Sequence, residues 1–65
     1  MTRKKFKNNF KRLRLKAGFS QSELARVMGV SHTAVNKWDS GEVLPRTSKL
    51  PMLATVLRCK VSDFF

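Results

Sequence analysis

Apolar residues Phe6, Phe10, Leu13 and Ala17 stand three or four positions apart, with Lys, Arg and Asn between them. That spacing puts them on one stripe of a helix, and Gly18 is a natural stop. The pattern predicts a first helix from Lys5 to Ala17, preceded by a loose basic arm from Met1 to Lys4. Ser20-Gln21-Ser22-Glu23 then reads as a capping box, and Phe19 before the cap with Leu24 after it reads as a hydrophobic staple. Leu24, Ala25 and Met28 face inward on a second helix of about nine residues that Gly29 ends. Only Gly29 and Val30 separate it from the next cap, Ser31, so a third helix runs from His32 to Ser40 and stops at Gly41. Two short helices joined this tightly cross steeply, as in a helix-turn-helix. After a loop containing Pro45, Ser48 is placed to cap a fourth helix with Pro51 in its first turn. Leu50, Leu53, Ala54 and Leu57 form its inward stripe, and Val61, Phe64 and Phe65 mark a short fifth helix. No segment alternates long enough to make a strand. The expected fold is all-α, a compact five-helix bundle spanning 1–65 as a single domain.

Composition narrows what such a bundle does. The 65 residues carry 14 Lys and Arg against 4 Asp and Glu, a formal charge of +10. Eight of those cations, Arg3, Lys4, Lys5, Lys7, Lys11, Arg12, Arg14 and Lys16, precede the first acid. Nucleic acid, an anionic membrane and an acidic protein are the partners that charge suggests. One cysteine, Cys59, excludes an internal disulfide and a cysteine metal cluster. His32 is the single histidine, and the few carboxylates are scattered, so neither a metal site nor an acid/base pair is apparent. No cofactor, metal or small-molecule ligand is expected, and catalysis is not. With no apolar run long enough for a membrane span or a secretory signal, a reduced cytoplasmic setting is expected.

The third helix separates the candidate partners. With His32 at the origin of a helical wheel, Asn36, Ser40, Thr33 and Lys37 fall within about 140°, while Ala34, Val35 and Trp38 fall between about 200° and 300°. One face is apolar and the other polar, without the Glu-Lys pairs of an ordinary exposed helix. His32, Thr33, Asn36 and Lys37 instead offer donors, acceptors and a methyl group suited to base edges: Asn to adenine, Lys to guanine, the Thr methyl to thymine. Trp38 shares the face of Val35 and belongs to the core. The phenylalanines follow the apolar stripes, so a stacking platform for single strands is not supported.

The segment Ser20-Gln21-Ser22-Glu23-Leu24-Ala25, then Met28-Gly29-Val30-Ser31, Val35, Trp38-Asp39-Ser40-Gly41 and Pro45, resembles the XRE or Cro/repressor helix-turn-helix family. The likeness runs from Phe10 to Phe65. It implies a lambda-repressor-like DNA-binding domain that binds double-stranded operator DNA as a homodimer, weakly associated or monomeric when free, and regulates transcription in a bacterial cytoplasm. Under that resemblance the third helix lies in the major groove. Gln21 contacts a phosphate at the N-terminus of the second helix, Ser31 and Ser40 contact phosphates beside the third, and Arg46 approaches the minor groove. Arg14 and Asp39 match a pair that ties the first helix to the third. Lys5 and Lys7 are assigned to phosphates on charge.

Departures from the family pattern carry information too. Arg58 and Lys60 stand where Gly and Ser are common, which leaves the turn after the fourth helix poorly capped. Asp39 is one methylene shorter than the usual Glu. Leu44, in a loop that is usually polar, groups with Met52 and Val56 as a candidate self-complementary dimer patch. The leading expectation is a Cro-like phage or prophage repressor. The N-terminal domain of a longer repressor and an antitoxin of the same fold are the alternatives. A cationic membrane-active peptide fits poorly, because the capped, glycine-punctuated helices after the first do not suit it.

Overall fold

A computed structural model describes residues 3–65 of the chain. Helix α1 spans Arg3–Lys16, α2 Gln21–Met28, α3 His32–Ser40 and α4 Leu50–Val56. A 3₁₀ turn, Thr47–Lys49, leads into α4, and a second, Val61–Phe64, follows it. No strand occurs among the described residues, so the all-α expectation holds, with four α-helices where five were expected. The fifth segment is the second 3₁₀ turn, closed by i→i+3 bonds from Asp63 N–H to Lys60 O and from Phe65 N–H to Ser62 O. Four residues make one turn, and nucleating an α-helix there returns too few hydrogen bonds. The Asp63 carboxylate accepts from the Lys60 amide at 2.9 Å and secures the start of the turn.

Two boundaries also differ from expectation. Helix α1 begins at Arg3, so Arg3 and Lys4 belong to it; Met1 and Thr2, the rest of the expected arm, lie outside the described residues. The sequence signal for that start is weak, because no acid occupies the first turn of α1. Ser48 does not cap α4. It lies inside the first 3₁₀ turn, where Lys49 N–H bonds Arg46 O at 2.8 Å, and α4 starts without a side-chain cap. Pro51 does occupy its first turn, where its missing N–H removes no helical bond.

Among the described residues, thirteen buried apolar side chains form one core. The stripe of α1 contributes Phe6, Phe10 and Leu13; α2 Leu24, Ala25 and Met28; α3 Val35 and Trp38; α4 and its end Leu50, Leu53, Ala54 and Leu57. Phe64 closes the core from the last turn and is fully buried. Aromatic rings pin α1 in place: Phe6 stacks on Phe10 at 5.5 Å, lies 5.5 Å from Phe64, and Phe10 meets Trp38 edge-on at 6.2 Å. Offset and edge-to-face rings add roughly 0.5–1.5 kcal/mol per pair beyond their burial. Asn9 donates from Nδ2 to Phe64 O at 3.1 Å and fixes the last turn on α1.

Helix α4 ends in a left-handed residue that is not glycine. Arg58 has φ +57°, with Cys59 N–H reaching back to Ala54 O at 2.9 Å. A Cβ there opposes the carbonyl, a conflict worth roughly 1–2 kcal/mol that glycine avoids. Arg58→Gly is therefore expected to raise stability by about 1 kcal/mol and the midpoint of thermal unfolding by roughly 4–8 °C. Circular dichroism melts of the two proteins measure it; an unchanged or lower midpoint contradicts the conformational argument.

Candidate nucleic-acid interface

The α2–α3 corner is built by local bonds. Ser20 Oγ accepts from Glu23 N–H at 3.1 Å, and Glu23 Oε1 accepts from Ser20 N–H at 3.1 Å, completing the capping box. The bond from the Ser20 amide holds the Glu23 carboxyl below its usual range. At the other end of α2, Gly29 takes φ +70°, and Val30 N–H turns back to Ala25 O at 3.0 Å. That left-handed residue lets the chain leave α2 and enter α3 within three residues. Ser31 then caps α3, its Oγ accepting from Ala34 N–H at 3.1 Å.

The corner sorts the faces of α3 by polarity. Val35 and Trp38 are buried, Ala34 packs against the core, and His32, Thr33, Asn36, Lys37 and Ser40 are exposed. The candidate base-reading residues thus share one solvent face, anchored by an apolar one. Its far end is tied down by Gly41, at φ +79°, where an added Cβ would lie 3.1 Å from Lys7 Cδ. The aliphatic stem of Lys7 lies against this glycine, and Arg3 donates to Glu42 O at 3.3 Å, so the start of α1 abuts the end of α3.

Behind the exposed face runs a chain of polar side chains. Arg14 and Asp39 are both buried, with Nε to Oδ1 at 3.2 Å and Nη2 to Oδ2 at 3.3 Å. The shorter Asp reaches because the contact is side-on through Nε. Arg14 also donates from Nη1 to Phe19 O at 2.7 Å, so one guanidinium joins α1, the turn before α2, and α3. Gln21 donates from Nε2 to Asp39 Oδ2 at 3.1 Å, and its Oε1 lies 3.1 Å from His32 Nε2. No buried side-chain polar atom among the described residues lacks a partner.

A family model described as helix-turn-helix matches residues 10–64. The chain belongs to the XRE-type helix-turn-helix family. It is accordingly a DNA-binding regulator of transcription whose partner is double-stranded DNA. Members of this family are generally not enzymes. No curated protein and no solved structure gave a significant match.

In this helix-turn-helix protein the other sequence-predicted residues are distributed as follows. Gln21 is half-buried at the head of α2, and both ends of its amide are engaged within the protein. Ser31 keeps its hydroxyl proton while capping α3. Ser40 donates its proton to Lys37 O at 3.1 Å and accepts from Glu42 N–H at 3.4 Å, so it serves the end of α3. Arg46 is exposed before the first 3₁₀ turn, Lys5 is exposed on α1 and Lys7 is half-buried. Of the suggested dimer residues, Met52 is exposed, whereas Leu44 and Val56 pack partly on the core. Val56 lines a groove with Leu13, Phe19, Leu57 and Cys59. Cys59 is half-buried there, and burial followed by the charge of Asp63 pushes its thiol up, which opposes nucleophile chemistry. Among the described residues no helix is long and apolar enough to cross a membrane, and no cluster of His, Cys, Asp and Glu could hold a metal.

The engagement of Gln21 by both Asp39 and His32 had no signal in the sequence. Each residue heads a helix or ends one, and only the crossing of α2 and α3 brings them together. Removing the base of this chain tests what it supports. Arg14→Ala leaves the Asp39 carboxylate buried beside one amide, and it is expected to lose roughly 3–5 kcal/mol. Arg14→Leu combined with Asp39→Leu is expected to lose much less, because no charge is stranded. Urea denaturation of the three proteins compares them; equal losses would show that the guanidinium acts by packing alone.

Proposed function

We propose that this regulator is a Cro-like phage or prophage repressor that reads operator half-sites by laying α3 in the major groove, as a homodimer in a bacterial cytoplasm. The observation that carries the groove reading is the face of α3. His32, Thr33 and Asn36 are exposed, uncharged and polar on a helix whose opposite side is locked in the core. Such groups have the donors, acceptors and methyl that distinguish base pairs, and phosphates do not require them.

The cations supply the other half. Arg3, Lys4 and Lys5 occupy the first turn of α1 with no acid among them. The helix dipole is positive at that end, and each cation there works against folding by a few tenths of a kcal/mol to about 1 kcal/mol. Cations gathered beside the end of α3 suit contact with phosphates. In the same reading Lys7 and Ser31 contact phosphates, Arg46 approaches the minor groove, Lys37 reads bases beside Asn36, and Gln21 supports His32 from the head of α2. The repressor and phage assignments rest on the likeness of the motif to the Cro/repressor pattern. The dimer reading draws on the exposure of Met52 at 46% and Val43 at 44%, large apolar side chains on and before α4.

Selection of bound sites from a random DNA library supplies the operator for two comparisons. Asn36→Ala is expected to lose roughly 1–3 kcal/mol on the selected site and little on random DNA. Lys5→Ala with Lys7→Ala is expected to weaken both alike and to lower the slope of log affinity against log salt by about 0.9 per lost phosphate contact. Equal losses for Asn36→Ala on both DNAs would show that Asn36 does not read bases. For the dimer, Leu44→Glu is expected to shift sedimentation toward the monomer, and an unchanged profile removes Leu44 from the interface.

A further inference from the structure

The hydrogen bonds behind α3 have a direction, and it can be followed atom by atom. Arg14 has donors only, so the Asp39 carboxylate receives it at both oxygens. A carboxylate so paired only accepts. The Gln21 atom 3.1 Å from Asp39 Oδ2 must therefore be the NH₂ group, and the opposite orientation of the amide would set oxygen against oxygen. That leaves Gln21 Oε1, an acceptor without a proton, facing His32 Nε2 at 3.1 Å. The proton of the neutral imidazole must then sit on Nε2. Nδ1 carries a bare lone pair, and it makes no hydrogen bond to any described residue, on a side chain that is exposed.

We propose that His32 reads an exocyclic amino group, adenine N6 or cytosine N4, because the Arg14–Asp39–Gln21 chain holds its neutral ring as the Nε2–H tautomer with Nδ1 as the acceptor turned to the DNA. The proposal rests on the reading of α3 as the groove-facing helix and specifies what one of its residues selects. In the major groove, adenine and cytosine present amino donors, whereas guanine N7 and O6 and thymine O4 only accept. An imidazole of the other tautomer would seek those acceptors. The residue that decides between the two, Asp39, is buried at the far end of α3 and is two hydrogen bonds away from the ring. His32 is therefore a specificity residue, and Asp39 and Gln21 are positioning residues for it.

Two measurements test the proposal separately from the groove reading. The first uses the free protein: ¹⁵N chemical shifts of the His32 ring, taken at the neutral end of a pH series. The expected pattern is a protonated Nε2 and a bare Nδ1, relaxing toward a mixture in Gln21→Ala. A protonated Nδ1, or no change in Gln21→Ala, overturns the relay with no DNA involved. The second uses the selected operator with single-atom base analogues. Purine in place of adenine or 2-pyrimidinone in place of cytosine removes the amino group, and 7-deazapurines remove N7. At one position, amino removal is expected to weaken the wild-type protein by roughly tenfold and leave His32→Ala unaffected, while loss of N7 changes neither. An N7 effect that disappears in His32→Ala overturns the assignment of the acceptor. If no analogue effect depends on His32, the groove reading of that residue fails and the proposal with it, even where the tautomer is as expected.

Discussion

The contact between Arg14 and Asp39 orders the rest of the molecule. Two buried charges on helices that are far apart in sequence meet through two hydrogen bonds, and the same guanidinium takes the carbonyl of Phe19. Burial of a charge is tolerated only with partners of good geometry, so this contact restricts how α1, α3 and the turn before α2 can be arranged. An apolar replacement could match its net free energy but not its directionality. Leucine side chains can slide past one another; a guanidinium and a carboxylate in register cannot. Because Asp39 lies on the last turns of α3 and Gln21 at the first of α2, the constraint reaches the exposed face through Gln21 to His32.

The core has a different task. Its aromatic layer, Phe6, Phe10, Trp38 and Phe64, supplies cohesion without choosing a register for the polar face. A chain of 65 residues buries a small fraction of its surface compared with larger domains, and its margin of stability is narrow. Against that margin the cations of the first turn of α1 and the left-handed Arg58 are both unfavourable local choices. They sit at opposite ends of the mapped helices, and both add positive charge to the surface. Local rules of helix design are broken where charge is gained, the pattern expected when surface electrostatics serves binding.

Much of this architecture was legible because it is written in short-range chemistry. Ser20 with Glu23, Ser31, Gly29 and Gly41 specify the ends of α2 and α3 through bonds spanning a few residues, and those helices begin and end where the caps predict. The start of α1 carries no such signal, and at Ser48 a 3₁₀ turn competes with a cap for the same residues. Val61 to Phe64 showed the right apolar spacing for a helix but lacked the length to close one. On the candidate interface, the exposed set His32, Thr33, Asn36 and Lys37 follows from helical phase alone. The link from Asp39 to His32 does not, since it depends on the angle between two helices and on which end of an amide faces a carboxylate.

The acids make the same point from the other side. Of the four carboxylates in the chain, Glu23 closes the cap of α2, Asp39 is buried under Arg14, and Asp63 holds the amide of Lys60. Three of four are thus engaged in shaping the backbone or orienting helices. A carboxylate directed at a neighbouring backbone amide has little reach toward distant cations across screened solvent. The excess of +10 consequently stands on the surface with little to offset it, concentrated on α1. Under the proposed reading, attraction to a polyanion and discrimination among its sequences fall to different helices. α1 carries charge that any phosphate satisfies, while α3 carries mostly neutral groups, and Gln21 links the first of them, His32, to the buried acid at its end.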